Sequence, residues 1–182
     1  MSMKFMPTAL ADVLLIEPRV FGDARGYFFE SYSRRSMAQA GIDVEFVQDN
    51  HSRSARGVLR GLHYQIEHAQ GKLVRVVSGE VYDVAVDMRR SSPTFGRSIG
   101  MTLSAQDKQM LWIPPGFAHG FLVLSETAEF LYKTTDFWYP EFERSLLWSD
   151  SALRIAWPLQ QAPTLAAKDA AGTPFAIADT YP

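Results

Sequence analysis

Two of the four histidines in this sequence stand where a proton-transfer group would be useful. His63 lies in the strand-like run GVLRGLHYQ, on a face with unusually small and polar residues, and His119 follows the turn Pro-Pro-Gly just before another strand. Histidine has an unperturbed pKa near ~6.5, so near neutral pH it can both accept and return a proton. The default for a histidine is a surface or hydrogen-bonded core position, and His68, in a polar loop, is expected to be solvated.

Three further side chains could complete such a site. Lys72 opens the apolar strand LVRVV, where a lysine ordinarily protects a sheet edge, but a lysine turned into a barrel is a buried cation that needs an anion. Tyr132 in FLYKTT would ordinarily be a packing residue, and Asp169 in AAKDAAG a turn residue. We expect His63 to act as a base and Lys72 to stabilise negative charge in the same pocket.

Short strands and a single convincing helix must position these residues. The helix is predicted at 33–40, capped by Ser33 and stopped at Gly41. In the run 81–88, odd-numbered and even-numbered residues should point to opposite faces. Ser-Gly-Glu at 78–80 predicts a hairpin-like turn. Strands are predicted at 13–17, 27–29, 44–47, 57–65, 73–77, 81–88, 99–103, 110–113, 120–124, 128–134 and 146–148. This spacing is typical of an all-β antiparallel sandwich or barrel.

Length and composition favour one domain in a cytoplasmic protein. The 182 residues are 47% hydrophobic and 21% charged, with no run long enough to span a membrane and no convincing secretory signal. We expect N-terminal strands at 1–56, a core at 57–150 and an irregular or helical tail at 151–182. The absence of cysteine excludes disulfides and thiolate chemistry, and a net charge of −2 does not suggest nucleic-acid binding.

The first of two paired segments resembles a cupin superfamily motif. Gly57 and His63 have the spacing of its opening glycine and first histidine. Gln65 stands where the second histidine belongs, and Lys72 takes the place of the glutamate, six residues before Gly79. A lysine ammonium at that position would repel a metal ion.

The second segment resembles the other cupin motif. Pro114, Gly116 and His119 match its opening, and Val123 stands where its asparagine belongs. Two of the four metal-ligand positions therefore carry no ligand, whereas transition-metal sites need about three protein donors. The resemblance implies a cupin barrel without its metal.

A closer resemblance extends from about Leu14 to Gly172. It rests on the phrases FGDARGYFFES, FVQDNHSRS, GVLRGLHYQ, QGKLVRVVSGEVYDVAVDMRRSSPTFG, WIPPGFAHGFLVLS, EFLYKTTDFW and KDAAG. These phrases are similar to those of the dTDP-4-dehydrorhamnose 3,5-epimerase family. The resemblance implies a jelly-roll fold, a homodimer and no cofactor. It also implies inversion of C3 and C5 in a dTDP-linked 4-keto-6-deoxyhexose, on the way to dTDP-L-rhamnose.

The resemblance also implies a role for individual residues. His63 would be the general base, paired with Asp169, and Tyr132 the general acid, while Lys72 would face the C4 oxygen of the sugar. Trp138 would stack on thymine, at a position where tyrosine is expected in other members. The substrate contacts would be Phe21, Arg25, Glu30, Gln48, Asp49, Asn50, Arg60, His119, Trp138, Glu143 and Lys168. Exchange of N-terminal strands in the dimer would carry the first three to the partner's pocket.

Several alternatives stay open on the sequence alone. Strict alternation puts Arg60 on the face opposite His63, so the strand bulges at Gly61, or Arg60 serves a neighbouring subunit, or it is not a ligand. A related epimerase that inverts only C3 or C5 would need the same residues. A metal-dependent cupin enzyme would need Gln65 or His68 to complete a site. A silent sugar-nucleotide binding module would bind without turnover.

Overall fold

Strands dominate the structure, a computed structural model that describes residues 3–182. The strands are β1 Met3–Pro7, β2 Leu14–Pro18, β3 Val20–Asp23, β4 Gly26–Phe29, β5 Gln48–Ala55, β6 Leu59–Gln65, β7 Lys72–Ser78, β8 Glu80–Asp87, β9 Ser98–Ser104, β10 Met110–Ile113, β11 Phe117–Val123, β12 Thr127–Thr134 and β13 Glu143–Ser145. The α-helices are α1 Arg34–Gln39 and α2 Ala167–Ala170, and short 3-10 turns lie at Pro140–Phe142, Ser151–Leu153 and Phe175–Ile177. Within this part of the chain, no helix has the length and apolar character needed to cross a bilayer.

Two antiparallel sheets pack face to face as a jelly roll. The first has the strand order β1-β2-β10-β7-β12-β5, and the second has the order β13-β6-β11-β8-β9. Strands β3 and β4 form a hairpin that belongs to neither sheet. The all-β jelly-roll prediction with one or two short helices is therefore confirmed.

Three apolar clusters hold the layers together. The main cluster fills the space between the sheets, where Val74, Ala85, Phe121 and Phe130 meet from four different strands. The outer face of the five-stranded sheet is covered by the C-terminal segment, and the outer face of the six-stranded sheet by α1, whose Met37 is buried. Burial of apolar side chains on both faces of each sheet is the main driving force that fixes the strands in this arrangement.

The alternation predicted for 81–88 is confirmed in β8. Val81 and Ala85 point into the cluster between the sheets, whereas Val84, Val86 and Met88 point to the outer cluster. The same alternation turns every second residue of the neighbouring strands inward. Polar side chains at those inward positions are therefore held inside the sandwich.

The hairpin predicted at 78–80 is wrong. A tight turn does join β7 to β8, but the two strands enter different sheets, so the turn crosses the sandwich. Gly79 is required there because its φ is +77° and a Cβ would lie 2.1 Å from the carbonyl oxygen of Thr127. The local sequence specifies a turn but not the sheet in which each flanking strand pairs.

Two predicted strands are also corrected. Residues 44–47 form no strand, because Val44 and Phe46 pack against the outer face of the six-stranded sheet and the segment lies across it. The strand placed at 146–148 occurs three residues earlier, as β13, and Leu146 instead forms an isolated parallel bridge with Thr173. In both segments the apolar pattern indicates packing against the core and not strand pairing.

The helix predicted at 33–40 is confirmed as α1. The Ser33 side chain caps it by accepting a hydrogen bond from the backbone N–H of Ser36 at 3.3 Å. The tail beyond residue 150 is largely irregular, as expected, and is fastened to the sheets by isolated bridges. One of these bridges pairs Val58 with Thr164, just before α2.

Candidate active site

A cavity of about 550 Å³ opens between the two sheets. Inward-facing residues of β5, β7 and β12 line it from one sheet, and residues of β6, β11 and β13 line it from the other. Helix α2 closes one side. Most of the residues predicted for the site meet here, namely Gln48, Asn50, Arg60, His63, Lys72, His119, Tyr132, Trp138, Glu143, Lys168 and Asp169.

His63 and Asp169 form a hydrogen-bonded pair on the cavity wall. The Nε2 atom of His63 lies 2.5 Å from Oδ1 of Asp169, whose side chain is only 2% exposed, whereas the His63 side chain is 24% exposed. The carboxylate fixes the ring orientation and stabilises an imidazolium, so the other ring nitrogen is available to take a proton. This is the arrangement expected of a general base.

Lys72 is a buried cation turned into the same cavity. Its ammonium donates to the backbone carbonyl of His63 at 3.2 Å and forms no ion pair within 4 Å among the described residues. Burial lowers the pKa of Lys72 to about 8, with nearby Glu143 and Asp83 acting in the opposite direction. A positive charge held here without a bonded anion is suited to stabilising negative charge that develops on a substrate.

Tyr132 supplies a hydroxyl from β12, which lies in the same sheet as Lys72 and in the sheet opposite His63. It lies on β12 directly across from Asn50 of β5, and its hydroxyl has no hydrogen-bond partner in residues 3–182. Burial raises the pKa of Tyr132, and the nearby Glu143 acts in the same direction. The hydroxyl therefore stays protonated and can donate to a ligand in the cavity.

His119 forms a second histidine–carboxylate pair deeper in the cavity. Its Nε2 lies 2.9 Å from Oδ2 and 3.1 Å from Oδ1 of Asp83, and both residues are buried. The imidazole also stacks on Phe130 with ring centroids 6.0 Å apart. These contacts fix the ring, so His119 can present its second nitrogen to a ligand in one orientation.

A β-bulge places Arg60 and His63 in the same cavity. In the pairing of β6 with β11, His63 faces His119 and Arg60 faces Phe121, so β6 contains one extra residue between the two pairs. Gly61 in the bulge has a φ of +120°, and a Cβ would lie 2.6 Å from Cα of Gly120. Of the three alternatives for Arg60, the structure shows the bulge.

The wider end of the cavity carries polar and aromatic side chains. Lys168 forms an ion pair with Glu143 at 2.8 Å. The Gln48 side chain donates to the side-chain oxygen Oδ1 of Asn50 at 3.0 Å and accepts from the backbone N–H of Trp138 at 3.2 Å. The Trp138 side chain is largely exposed, with its residue 54% accessible. An aromatic face beside basic groups matches the needs of a nucleotide diphosphate.

Four residues predicted for substrate binding lie away from this cavity. Phe21 and Arg25 belong to the β3–β4 hairpin, where Phe21 is 49% exposed and Arg25 pairs with Asp23 at 2.5 Å. Glu30 follows the hairpin and accepts a hydrogen bond from Ser36. Asp49 points outward from β5 and pairs with Lys133 at 2.9 Å. Within a single chain, these four residues do not reach the catalytic groups.

The cavity also includes residues that were not predicted for the site. Behind His119 lies Asp83, which the alternation placed on one face with Val81 and Ala85, and a carboxylate on a face shared with apolar residues is a signal of a polar partner nearby. Gln65 and Gln70 line the cavity near Trp138. The segment 164–166, which precedes α2, carries no distinctive sequence signal.

The jelly roll and its proton-transfer groups define a cupin-type isomerase. A model of the family described as dTDP-4-dehydrorhamnose 3,5-epimerase matches residues 7–176. The chain belongs to this family.

Relatives named dTDP-4-dehydrorhamnose 3,5-epimerase match almost the whole chain. The Pseudomonas aeruginosa protein is 66% identical over 181 residues, covering 99% of this chain and 100% of the relative. The Shigella flexneri protein is 58% identical, covering 98% of this chain and 99% of the relative. This similarity extends well beyond the active-site motifs.

Solved structures of similar proteins share the fold. A 3,5-epimerase from Legionella pneumophila, in complex with dTDP-4-keto-L-rhamnose, is 50% identical with a TM-score of 0.94, covering 97% of this chain and 95% of that chain. A 3'-monoepimerase from Streptomyces bikiniensis, in complex with dTDP-quinovose, is 34% identical with a TM-score of 0.88, covering 93% and 87%. The fold is thus shared by double and single epimerases.

Proposed function

We propose that this chain inverts C3 and C5 of dTDP-4-dehydro-6-deoxy-D-glucose, giving dTDP-4-dehydro-L-rhamnose for dTDP-L-rhamnose biosynthesis. The observation that carries the proposal is the convergence of the His63–Asp169 pair, the Lys72 ammonium and the Tyr132 hydroxyl on one cavity. The family and its named relatives favour the double epimerisation.

The reaction needs a base, a charge stabiliser and an acid. C3 and C5 both flank the C4 carbonyl, so removal of either proton sends the bonding electrons toward the C4 oxygen as an enolate. His63 takes the proton and Asp169 stabilises the imidazolium, while Lys72 interacts with the enolate oxygen. Tyr132 returns a proton to the opposite face of the carbon. The cycle closes when the imidazolium loses its proton to solvent and the phenolate regains one.

The substrate's nucleotide end would occupy the wider part of the cavity. A thymine ring would stack on Trp138, and the diphosphate would contact Arg60 and Lys168. Gln48 and Asn50 offer amide groups to the base, and His119 and Glu143 are positioned for polar contacts with the ligand. Indole stacks on a base at least as well as phenol, so tryptophan at this position preserves the platform.

We infer that the protein forms a homodimer. The β3–β4 hairpin stands outside both sheets and exposes large apolar side chains, including Tyr27 at 65% and Phe28 at 72%. Covering this hairpin with a second copy would bury these rings and bring Phe21, Arg25 and Glu30 to the partner's cavity. Asp49 would serve the ligand only if its pairing with Lys133 opens.

The remaining proposals follow from the same chemistry. Epimerisation neither gains nor loses electrons, so proton donors and acceptors suffice and we propose no cofactor. We further propose one domain, with N-terminal strands at 1–56, a core at 57–150 and a tail at 151–182. We propose that the homodimer acts in the cytoplasm without nucleic-acid or membrane partners.

Deuterium uptake from D2O into dTDP-4-keto-6-deoxyglucose, followed by NMR at C3 and C5, tests the proposal. Exchange at both carbons, with a product accepted by the next reductase, is the expected result. Exchange at one carbon alone would indicate a single-site epimerase, the alternative favoured by similarity to the 3'-monoepimerase. Binding of the substrate without deuterium exchange would indicate a sugar-nucleotide binding module that does not catalyse the reaction.

Metal analysis of the purified protein addresses the other alternative. A stoichiometric, tightly bound transition metal needed for turnover would indicate a metal-dependent cupin enzyme instead. In the structure Gln65 hydrogen-bonds backbone groups of the segment 136–139. Gln65 would have to leave those bonds to join a metal site.

A further inference from the structure

The segment of residues 136–139, here called the Trp138 segment, crosses the wider end of the cavity. It is not part of any strand, and its indole side chain is more than half exposed. A short irregular segment has no ladder of backbone hydrogen bonds to fix it. The position of the indole therefore depends on hydrogen bonds and contacts from the side chains of other elements.

Gln65 supplies two hydrogen bonds to the residues that flank the indole. It is the last residue of β6, it is only 2% exposed, and its backbone carbonyl accepts a hydrogen bond from Tyr181. Its side-chain oxygen accepts from the backbone N–H of Tyr139 at 2.7 Å, and its side-chain nitrogen donates to the carbonyl of Phe137 at 3.2 Å. One buried amide thus binds the residues on both sides of Trp138.

Other contacts add to this support, among them the hydrogen bond that the backbone N–H of Trp138 donates to the Gln48 side chain at 3.2 Å. The side-chain nitrogen of Gln65 also donates to the carbonyl of His68 at 2.8 Å, and the His68 ring stacks on Tyr139 with centroids 4.3 Å apart. On the other side, Gln70 donates to the carbonyl of Asp136 at 3.0 Å. The amide of Gln65 thus joins His68 to the two residues that flank the indole.

We propose that Gln65 is a positioning residue that holds the Trp138 indole as a stacking platform and so sets the affinity for the nucleotide base. The proposal rests on the proposed function only for the identity of the ligand. A buried primary amide satisfies a donor and an acceptor of the backbone at once, which neither a carboxylate nor a hydrocarbon of similar size can do. Gln65 occupies the position of a cupin metal ligand, and here its side chain forms hydrogen bonds to the backbone.

Binding of the base should depend on Gln65, whereas binding of the diphosphate and proton transfer should not. If the indole loses its fixed position, a base stacks less well, so dTDP binding should weaken by ~5- to 150-fold, the range that corresponds to the loss of one base–aromatic stack. Inorganic pyrophosphate does not contact the indole, so its affinity should stay within about twofold. The kcat for deuterium exchange at saturating substrate should stay within about threefold, because the loss affects substrate and transition state alike.

The experiment is a double-mutant cycle between Gln65→Met and Trp138→Ala, with binding of dTDP and of pyrophosphate measured by calorimetry. Gln65→Met removes both hydrogen-bonding atoms at nearly constant volume. Gln65→Asn keeps the amide but shortens its reach, and serves as a second variant that retains polarity if the first does not fold. Gln106→Met, at an exposed turn, is the matched control. Thermal unfolding of each variant verifies that it is folded.

The expected result is that Gln65→Met weakens dTDP binding in the wild-type background but has little further effect when Trp138 is already alanine. Unchanged dTDP binding in a folded Gln65 variant would overturn the proposal. An equal loss of dTDP and pyrophosphate affinity, or an equal loss in both backgrounds, would overturn it too, because Gln65 would then act on the whole cavity. Absence of deuterium exchange in the wild-type protein would instead contradict the proposed function and leave the dTDP measurements valid.

Discussion

Lys72 should raise the reaction rate and lower the stability of the fold at the same time. The residue is 7% exposed and its ammonium has no bonded anion within residues 3–182, and burial lowers its pKa from 10.5 to about 8. Replacement by methionine keeps the length of the side chain and removes the charge. The deuterium-exchange rate should fall ~10²- to 10³-fold, as on removal of one preorganised donor to an oxyanion. The affinity for dTDP should change little because, in the proposed reaction, Lys72 contacts the sugar and not the nucleotide.

The same substitution should stabilise the protein at pH 7. Because the pKa of Lys72 falls from 10.5 to about 8 on folding, the charged lysine costs roughly 3 kcal/mol of folding free energy. This cost is the upper limit of the stability that Lys72→Met can gain. Below pH 8 the lysine is protonated in both the folded and the unfolded chain, and the cost is fully present. Between pH 8 and 10.5 the unfolded chain binds more protons, so the stability of the wild type rises with pH and the difference from Lys72→Met shrinks.

Urea denaturation at pH 7 and pH 10, together with deuterium exchange, measures both effects. Lys4→Met is the matched control, because the Lys4 side chain is 75% exposed and forms only a loose pair with Glu17 at 3.7 Å. Comparison of wild type with Lys72→Met cancels the titration of the buried tyrosines. Our reasoning is refuted if Lys72→Met exchanges deuterium at the wild-type rate, or if its stability lies below that of the wild type by the same amount at both pH values.

Three further predictions follow from other parts of the structure. Asp169→Asn keeps a hydrogen-bonding group beside His63 but removes the charge that stabilises the imidazolium. Deuterium exchange should therefore slow ~10²-fold or more, with unchanged dTDP affinity. Equal exchange rates for wild type and variant in single-turnover NMR would contradict this role. Tyr132→Phe should lower formation of the inverted sugar ~10²-fold or more. Deuterium exchange without inversion should persist, since His63 can return deuterium to the face that it deprotonates. A parallel loss of inversion and of exchange would mean that Tyr132 is not the acid on the opposite face. Gly61→Ala should destabilise the protein by about 2–4 kcal/mol in urea denaturation, because the added Cβ would lie 2.6 Å from a backbone atom of β11. Gly26→Ala, with a φ of +129° but no atom within 4 Å of the added Cβ, is its control and should cost only about 1–2 kcal/mol.

Local sequence pattern predicted the side chains that strands turn inward. Alternation in 81–88 gave the two faces of β8, and the polar run around His63 and the lysine at the start of LVRVV indicated the cavity wall. These predictions succeed because side-chain direction in a strand has a fixed period of two. Arg60 did not follow the simple rule because the bulge at Gly61 shifts the period by one residue.

Other features depend on contacts that no local pattern contains. Asp169 lies 106 residues after His63, and only the family resemblance joined them before the structure did. The turn at 78–80 was recognisable, but its crossing between sheets depends on pairing partners elsewhere in the chain. The support that Gln65 gives to the Trp138 segment also arises from tertiary packing, since a glutamine in a strand carries no such signal by itself.

The chain order of the His63–Asp169 pair makes activity a sign of completed folding. Asp169 follows every strand of the two sheets in the sequence, and it reaches His63 only when the segment fastened by the Val58–Thr164 and Leu146–Thr173 bridges has docked. A nascent or clipped chain with both sheets formed but this segment undocked would hold its base without the partnering carboxylate. Such an intermediate would lack the carboxylate that stabilises the imidazolium, so we expect it to deprotonate substrate more slowly than the complete fold.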